Sequence, residues 1–132
     1  MGVDFRRIAA YKHFPCGMAY RGFIRFRARI AASIGVNLAV MEGFTDPHEA
    51  RIPWPGGLDA NDPIIDLLNH SDCDGIINLN RCGPLAKRLR EIVSAWPDTC
   101  PEDPDGFYKQ RGLALADAMQ ECYDECSDLE FC

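Results

Sequence analysis

The stretch that decides the fold reads His70-Ser71-Asp72-Cys73-Asp74-Gly75-Ile76-Ile77-Asn78-Leu79-Asn80-Arg81. It places carboxylates and a glycine between two segments with helical character. The first segment is short: Asn61 or Asp62 caps it, and Pro63 takes its first helical position. The second is the strongest helix of the chain, because its apolar residues recur at steps of three and four. These apolar residues are Cys82, Leu85, Ala86, Leu89, Ile92, Val93 and Trp96. The sequence therefore predicts a helix–loop–helix unit over residues 63–96.

With residue 70 as position one, this loop resembles the calcium loop of an EF-hand. Asp72 and Asp74 occupy positions three and five, and Gly75 occupies position six, where the chain turns sharply. Ile77 occupies position eight. The resemblance implies a cation site, whose ligands would come from the residues that match the motif. They are Asp72, Asp74, the carbonyl of Ile76, and Asn78 through a water molecule.

Two departures from the EF-hand pattern argue against tight calcium binding. Position one, normally Asp, is His70, and position twelve, normally a bidentate Glu, is Arg81. Calcium takes six to eight oxygen ligands, several of them charged, and the loop supplies only about half of that set. We therefore favour a metal-free scaffold turn in which the Arg81 guanidinium lies near Asp72 and Asp74 in place of the ion. Weak calcium binding is the alternative.

Three stretches of the sequence also resemble a family of small uncharacterised proteins from actinobacterial and phage genomes. They are Leu67-Leu68-Asn69-His70-Ser71-Asp72-Cys73-Asp74-Gly75, the Arg-Leu-Arg-Glu of residues 88–91 and the closing Leu-Glu-Phe-Cys. This resemblance spans much of residues 20–132 and implies a phage-associated protein. In that family position twelve of the loop is more often acidic, which implies that the loop has lost a cation site here. No established activity comes with the resemblance.

The rest of the chain predicts a single, mainly α domain of about four helices. Residues 1–19 show no clear period and are expected to be irregular. Residues 20–34 have helical periodicity, residues 44–60 form a long loop rich in Pro and Gly, and residues 105–127 form the last helix. We expect at most a minimal β contact in this fold.

That β contact is expected at Ile77. EF-hand loops normally come in pairs that meet through a short strand contact at position eight, and the sequence contains no second loop. Ile77 should therefore pair with another extended piece, such as Leu129–Phe131, or with a second copy of the chain.

Composition indicates a globular protein of the cytoplasm. Apolar residues make up 47% of the chain and charged residues 26%, which is typical of a folded domain. No apolar run approaches the ~20 residues that span a bilayer, so no membrane contact is expected. The charged N-terminus lacks the pattern of a secretion signal. The seven cysteines are accordingly expected to be reduced thiols.

Zinc binding and catalysis find little support. Zinc sites usually use closely paired ligands such as Cys-x2-Cys, and the candidates do not follow that spacing. These candidates are His70, Cys73, Cys82, Cys122 and Cys126. The sequence has no recognised nucleophile turn, no phosphate-binding glycine loop and no helix-borne His pair. We expect a protein that is not an enzyme and has no cofactor, with calcium the one metal left open.

The charge is divided unevenly along the chain. Residues 1–40 carry seven Arg or Lys against one acid, whereas residues 41–132 carry seven against nineteen. Arg21, Arg25 and Arg29 share one face of the first helix. This stripe is a candidate interaction surface, unless it folds against the acidic last helix or is only solvated. The favoured function is a small non-enzymatic protein that binds another protein, with calcium binding and nucleic-acid binding through helix 20–34 as alternatives.

Overall fold

The computed structural model describes residues 2–36, 61–68, 70 and 75–132. The predicted loop 44–60 lies outside the described residues, as do Asp72, Asp74 and Cys73. The helices are α1 Tyr20–Ser33, α2 Ile65–Leu68, α3 Leu79–Ser94 and α4 Phe107–Asp124. The strands are β1 Gly2–Val3, β2 Phe5–Arg7, β3 Lys12–His13, β4 Met18–Ala19, β5 Ile76–Ile77 and β6 Leu129–Phe131, and a 3-10 turn covers Ile8–Ala10.

The prediction of a mainly α fold with at most a minimal β contact is wrong. Strands β1 and β4 form an antiparallel pair, and a second antiparallel sheet has the order β3-β2-β6-β5. Helix accounts for 54% and strand for 16% of the described residues, so the fold mixes helices and sheets. Residues 1–19, predicted to be irregular, contain four of these strands. Strands of two or three residues are too short to show an alternating pattern, and their partners are distant in sequence.

Strand β6 occupies an inner position of the four-stranded sheet and joins the two ends of the chain to the loop. On one side it pairs with β2, with Phe5 opposite Phe131 and Arg7 opposite Leu129. On the other side it pairs with β5, with Ile77 opposite Leu129. The prediction that Ile77 pairs with Leu129–Phe131 is confirmed. The C-terminal strand thus supplies the strand partner of Ile77.

The helix boundaries follow local capping chemistry. Helix α1 ends one residue before the predicted end, and Gly35 follows it with a φ of +79°, a left-handed conformation that glycine adopts readily. Before α2, the Asp62 carboxylate accepts a hydrogen bond from the Ile64 N–H at 3.1 Å. Helix α3 begins at Leu79, so that the predicted loop already contains its first turn. Helix α4 is shorter at both ends than residues 105–127.

Helices α3 and α4 pack closely against each other in the core, and α1 adds the ring of Phe26. Phe26 and Val93 of α3 meet at Gly112 of α4, where an added Cβ would lie 2.9 Å from the Phe26 ring and 3.0 Å from Val93. All three positions are buried. Gly112 therefore leaves room for both side chains.

Replacing Gly112 by alanine should destabilise the protein because the new methyl group meets side chains that cannot leave the core. Overpacking of this kind costs about 1–3 kcal/mol. Gly83 in α3 is the matched control: a Cβ there would meet the ring of Tyr123 at 2.7 Å, but that side chain is 46% exposed and can swing outwards. Both variants gain the same helix propensity of about 1 kcal/mol. In urea unfolding we expect Gly112→Ala to be less stable than Gly83→Ala by at least about 1 kcal/mol, and equal stabilities would contradict this packing.

Candidate interaction site

Within the 70–81 stretch, the structure describes residue 70 and residues 75–81. Gly75 has a φ of +94°, a left-handed conformation that glycine adopts readily. His70 is 6% exposed, and its ring lies against Phe131 with 3.9 Å between centroids. Its Nε2 is 3.1 Å from the carbonyl oxygen of Ile76. Because a carbonyl can only accept, Nε2 donates this hydrogen bond.

This hydrogen bond involves the atom that would be a metal ligand in an EF-hand. The carbonyl at position seven ligates the ion in that motif, and here it accepts the imidazole N–H. Asn78, the predicted water-mediated ligand, uses its side-chain oxygen to accept the Asn80 N–H at 2.9 Å and so caps α3. Both predicted ligands that the structure describes are therefore engaged within the protein.

The described hydrogen bond of the Arg81 side chain is to the preceding helix, α2. Its Nε donates to the Asp66 carboxylate at 2.7 Å, and this hydrogen bond raises the pKa of Arg81 further. The expected partners, Asp72 and Asp74, lie outside the described residues. Arg81 thus links α2 to α3. Arg88 of α3 adds a bidentate contact with Asp62, just before α2: its Nε and Nη2 donate to the carboxylate oxygens at 3.1–3.2 Å.

Arg27 of α1 is a structural residue, unlike the arginines of the α1 stripe. It is 5% exposed, its guanidinium lies over the Phe23 ring at 4.6 Å, and it donates a hydrogen bond to the His70 carbonyl. Arg27 lies four residues after Phe23 and three before Ile30, on the apolar face of α1. Its position on the apolar face is the feature of the sequence from which the burial of Arg27 could have been predicted.

Within the described residues, three bases near the N-terminus pair with acids near the C-terminus. Arg6 pairs with Glu130, Lys12 lies 2.6 Å from Glu121, and Arg7 lies 3.7 Å from both Glu121 and Glu125. The acidic end of α4 is therefore covered by bases of β2 and β3. None of these contacts involves the arginines of the α1 stripe.

The three arginines of the α1 stripe have different environments. Arg21 and Arg25 are exposed, and neither makes an ion pair with any residue that the structure describes. Arg29 is partly buried: its guanidinium carbon is 4.0 Å from the centroid of the Trp96 ring, and its Nη1 is 3.5 Å from Asp103. The stripe thus contains two uncompensated charges next to one that is held in place.

A cleft of about 650 Å³ lies beside this stripe, within the range of roughly 300–1,000 Å³ common for ligand pockets. Its lining residues come from α1, the segment before α4 and the start of α4. They are Arg25, Arg29, Pro97, Cys100, Glu102, Asp103 and Tyr108. The cleft therefore joins cationic groups of α1 to apolar and aromatic walls.

Asp103 is a second structural residue that the sequence did not reveal. It is 5% exposed, and its two oxygens accept the N–H groups of Phe107 at 2.8 Å and Tyr108 at 3.0 Å. These bonds satisfy donors at the start of α4 that have no helical partner. An acid just before a helix can indicate a cap. Because the predicted helix began at residue 105, Asp103 was too close to that start to be recognised as the residue that bonds to the first N–H groups.

The described cysteines are free thiols and do not form a metal site. Cys16, Cys82 and Cys122 are buried, whereas Cys126 and Cys132 are exposed. Within the described part of the chain, no three His, Cys, Asp or Glu side chains come together as metal ligands. Burial raises the pKa of Cys16 and of Cys82 from 9.0 to about 12, and that of Cys122 to about 11.

The buried thiols predict a loss of stability in alkaline solution. Their pKa values are higher in the folded protein than in the unfolded chain, so the stabilisation is fully present below about pH 9 and is lost as the pH rises towards 11–12. Above pH 9 each thiol should lower the free energy of unfolding by up to about 1.4 kcal/mol per pH unit. Urea unfolding between pH 8 and 10.5 should show a shallower pH slope for Cys16→Ala than for the wild type. An identical pH slope in Cys16→Ala and in the wild type would contradict this role of the buried Cys16 thiol.

Comparisons with protein-family models, with curated proteins and with solved structures find no match. The resemblances to EF-hand loops and to the actinobacterial and phage family therefore stay predictions. Among the helices that the structure describes, none combines the length and the apolar character needed to cross a bilayer.

Proposed function

We propose that this protein is a small non-enzymatic interaction module of the cytoplasm that binds an acidic segment of another protein through the exposed face of α1. The observation that carries the proposal is that Arg21 and Arg25 form no ion pair with any described residue, while Arg6, Arg7 and Lys12 are paired with acids. Charges left uncompensated at a surface attract a partner of opposite sign and orient it as it approaches.

The same face offers apolar contact between its charges. Ile24 is 55% exposed, and Ala28 is exposed one helical turn further on. A protein segment that carries acids around an apolar side chain would match both features. A cytoplasmic location suits the six free thiols of the described residues, because thiols persist in reducing compartments.

The observations favour a protein partner over a nucleic acid. Nucleic-acid affinity comes mainly from many phosphate contacts. Here the two arginines of the cleft, Arg25 and Arg29, share its lining with the carboxylates of Glu102 and Asp103, and Arg29 is paired with Asp103. The net charge of the chain is −6, which repels a long polyanion. An acidic peptide needs only one or two contacts to this face.

The arrangement of the 70–81 loop supports a scaffold role over a calcium-binding one. His70 donates to the Ile76 carbonyl, and Asn78 caps α3. Calcium binding would require both groups to give up these contacts. In our proposal the loop positions β5 against β6 and α3 against the core, and the docking face lies on α1.

The test is the affinity of a fluorescent peptide of Asp and Glu residues around a central Leu, measured by anisotropy at low salt. Arg25→Glu should weaken binding about tenfold or more, because charge-assisted hydrogen bonds contribute about 1.5–3 kcal/mol. Lys87→Glu is the matched control, since Lys87 is an exposed base on α3 with no described ion pair. It should change the affinity less than twofold. Equal losses in both variants, or no binding by the wild type, would refute the proposal.

A single-stranded DNA oligonucleotide is measured in parallel. If it binds more tightly than the peptide and loses affinity in Arg25→Glu, the partner is a nucleic acid and the protein-binding proposal fails. A salt titration accompanies both measurements, because phosphate-dominated binding weakens steeply with salt.

A further inference from the structure

The cleft beside α1 contains a guanidinium whose orientation is fixed before any ligand arrives. Arg29 lies over Trp96 at 4.0 Å. The indole itself is held: Nε1 of Trp96 donates to the Ser33 hydroxyl at 2.8 Å, and that hydroxyl donates to the Arg29 carbonyl at 2.8 Å. Phe26 packs edge-on against the same indole. The planar guanidinium therefore loses little freedom when it binds a planar acid.

Most of the hydrogen-bonding capacity of Arg29 is unused within the described residues. Its side chain makes one ion contact, to Asp103 at 3.5 Å, whereas a guanidinium has five N–H donors. Asp103 itself is bonded more closely, at 2.8 and 3.0 Å, to the start of α4. Asp103 thus holds Arg29 weakly and leaves its remaining donors to a ligand.

Arg25 adds a second cation one turn earlier on the same cleft wall. Like charges four residues apart on a helix repel each other. No described acid forms an ion pair with Arg25, although Glu102 and Asp103 line the same cleft. A carboxylate bound between Arg25 and Arg29 would relieve this repulsion as well as forming hydrogen bonds. Pro97, Cys100 and Tyr108 supply walls for an apolar neighbour.

We infer that this cleft is the anchor pocket for the acidic partner, and that it takes a carboxylate side chain carried next to an apolar residue. The inference rests on the proposed function and specifies where that partner is held. The carboxylate binds the guanidinium of Arg29 with Arg25 beside it, and the apolar neighbour packs on Tyr108 and Pro97. Glu102 and Asp103 in the lining disfavour a dianion such as phosphate.

The probe is the dipeptide N-acetyl-Leu-Asp-amide, and the matched control is N-acetyl-Leu-Asn-amide, which has the same shape without the charge. The reporter is the indole N–H resonance of Trp96 in a Trp54→Phe variant, which leaves one tryptophan in the chain. We expect the Asp dipeptide to shift this resonance in a saturable way, with an affinity at least fivefold higher than that of the Asn dipeptide. Equal affinities would overturn the inference.

Two variants separate recognition by the guanidinium from simple charge. Arg29→Lys keeps the charge but loses the planar, stacked fork, and should bind the Asp dipeptide at least fivefold more weakly. Arg25→Gln alters an exposed side chain. It should weaken binding of the Asp dipeptide about threefold, while the thermal midpoint of unfolding stays unchanged. Unaltered affinity in either folded variant would overturn the inference, as would tighter binding of inorganic phosphate.

The outcomes distinguish this pocket from the proposed function. If the long acidic peptide binds through Arg25 but the dipeptide leaves Trp96 unmoved, the pocket is wrong and the docking face stands. If the dipeptide binds and the long peptide does not, the carboxylate pocket stands and the proposed function fails.

Discussion

Replacing Phe131 by alanine should lower the free energy of unfolding by about 3–5 kcal/mol, the usual cost of deleting a buried aromatic ring. Phe131 is 1% exposed. Its ring centroid lies 4.9 Å from that of Phe5 and 6.1 Å from that of Phe23. It also supports the His70 ring at 3.9 Å. Because a domain of this size is stable by only about 5–15 kcal/mol, the loss should be a large fraction of the total.

Urea unfolding followed by circular dichroism measures this loss. Phe107→Ala is the control, because Phe107 is 39% exposed and contacts Arg111 and Tyr108 at the surface. Its loss should stay below about 1 kcal/mol. Similar values for the two variants would mean that β6 does not hold the loop and the two ends of the chain together.

Restoring the EF-hand residue at position one should also destabilise the protein strongly. His70→Asp removes the imidazole N–H that donates to the Ile76 carbonyl and places a carboxylate in a buried site beside that oxygen. Two acceptors cannot bond to each other, and burying a charge is costly because the charge loses its hydration. We expect a loss of about 3–5 kcal/mol in urea unfolding, and no recovery when calcium is added at millimolar concentration.

His70→Gln is the matched variant, because its amide N–H can still donate to the Ile76 carbonyl. It should lose less than about 1.5 kcal/mol, since the hydrogen bond survives while the contact with Phe131 is reduced. If His70→Asp were as stable as His70→Gln, or became so with calcium, position one would face a metal site and the scaffold interpretation would be wrong.

The elements that the sequence could predict are those with local signals. Helices α1 and α3 repeat their apolar residues over several turns, and Gly75 marks the turn of the loop. The pairing of Ile77 with β6 could be expected because position eight of such a loop requires a partner strand. Each of these features depends on residues close in sequence or on a known motif.

The features that could not be predicted depend on contacts distant in sequence. The N-terminal strands pair through two or three residues each, so no alternation develops within them. The hydrogen bond of Arg81 to Asp66 was not predicted, and the predicted contacts of Arg81 with Asp72 and Asp74 lie outside the described residues. Which bases of the N-terminal half stay unpaired depends on where β2 and β3 meet α4, and only the fold shows that Arg21 and Arg25 remain exposed.

The central claim is that α1, and not the 70–81 loop, is the docking surface. Backbone amide NMR of the full chain, titrated with the acidic Leu-centred peptide, tests it residue by residue. We expect the largest shifts in residues 21–29 and 97–108, with residues 75–81 unmoved, and a loss of these shifts in Arg25→Glu. Largest shifts in residues 75–81, or shifts that persist unchanged in Arg25→Glu, would contradict the claim.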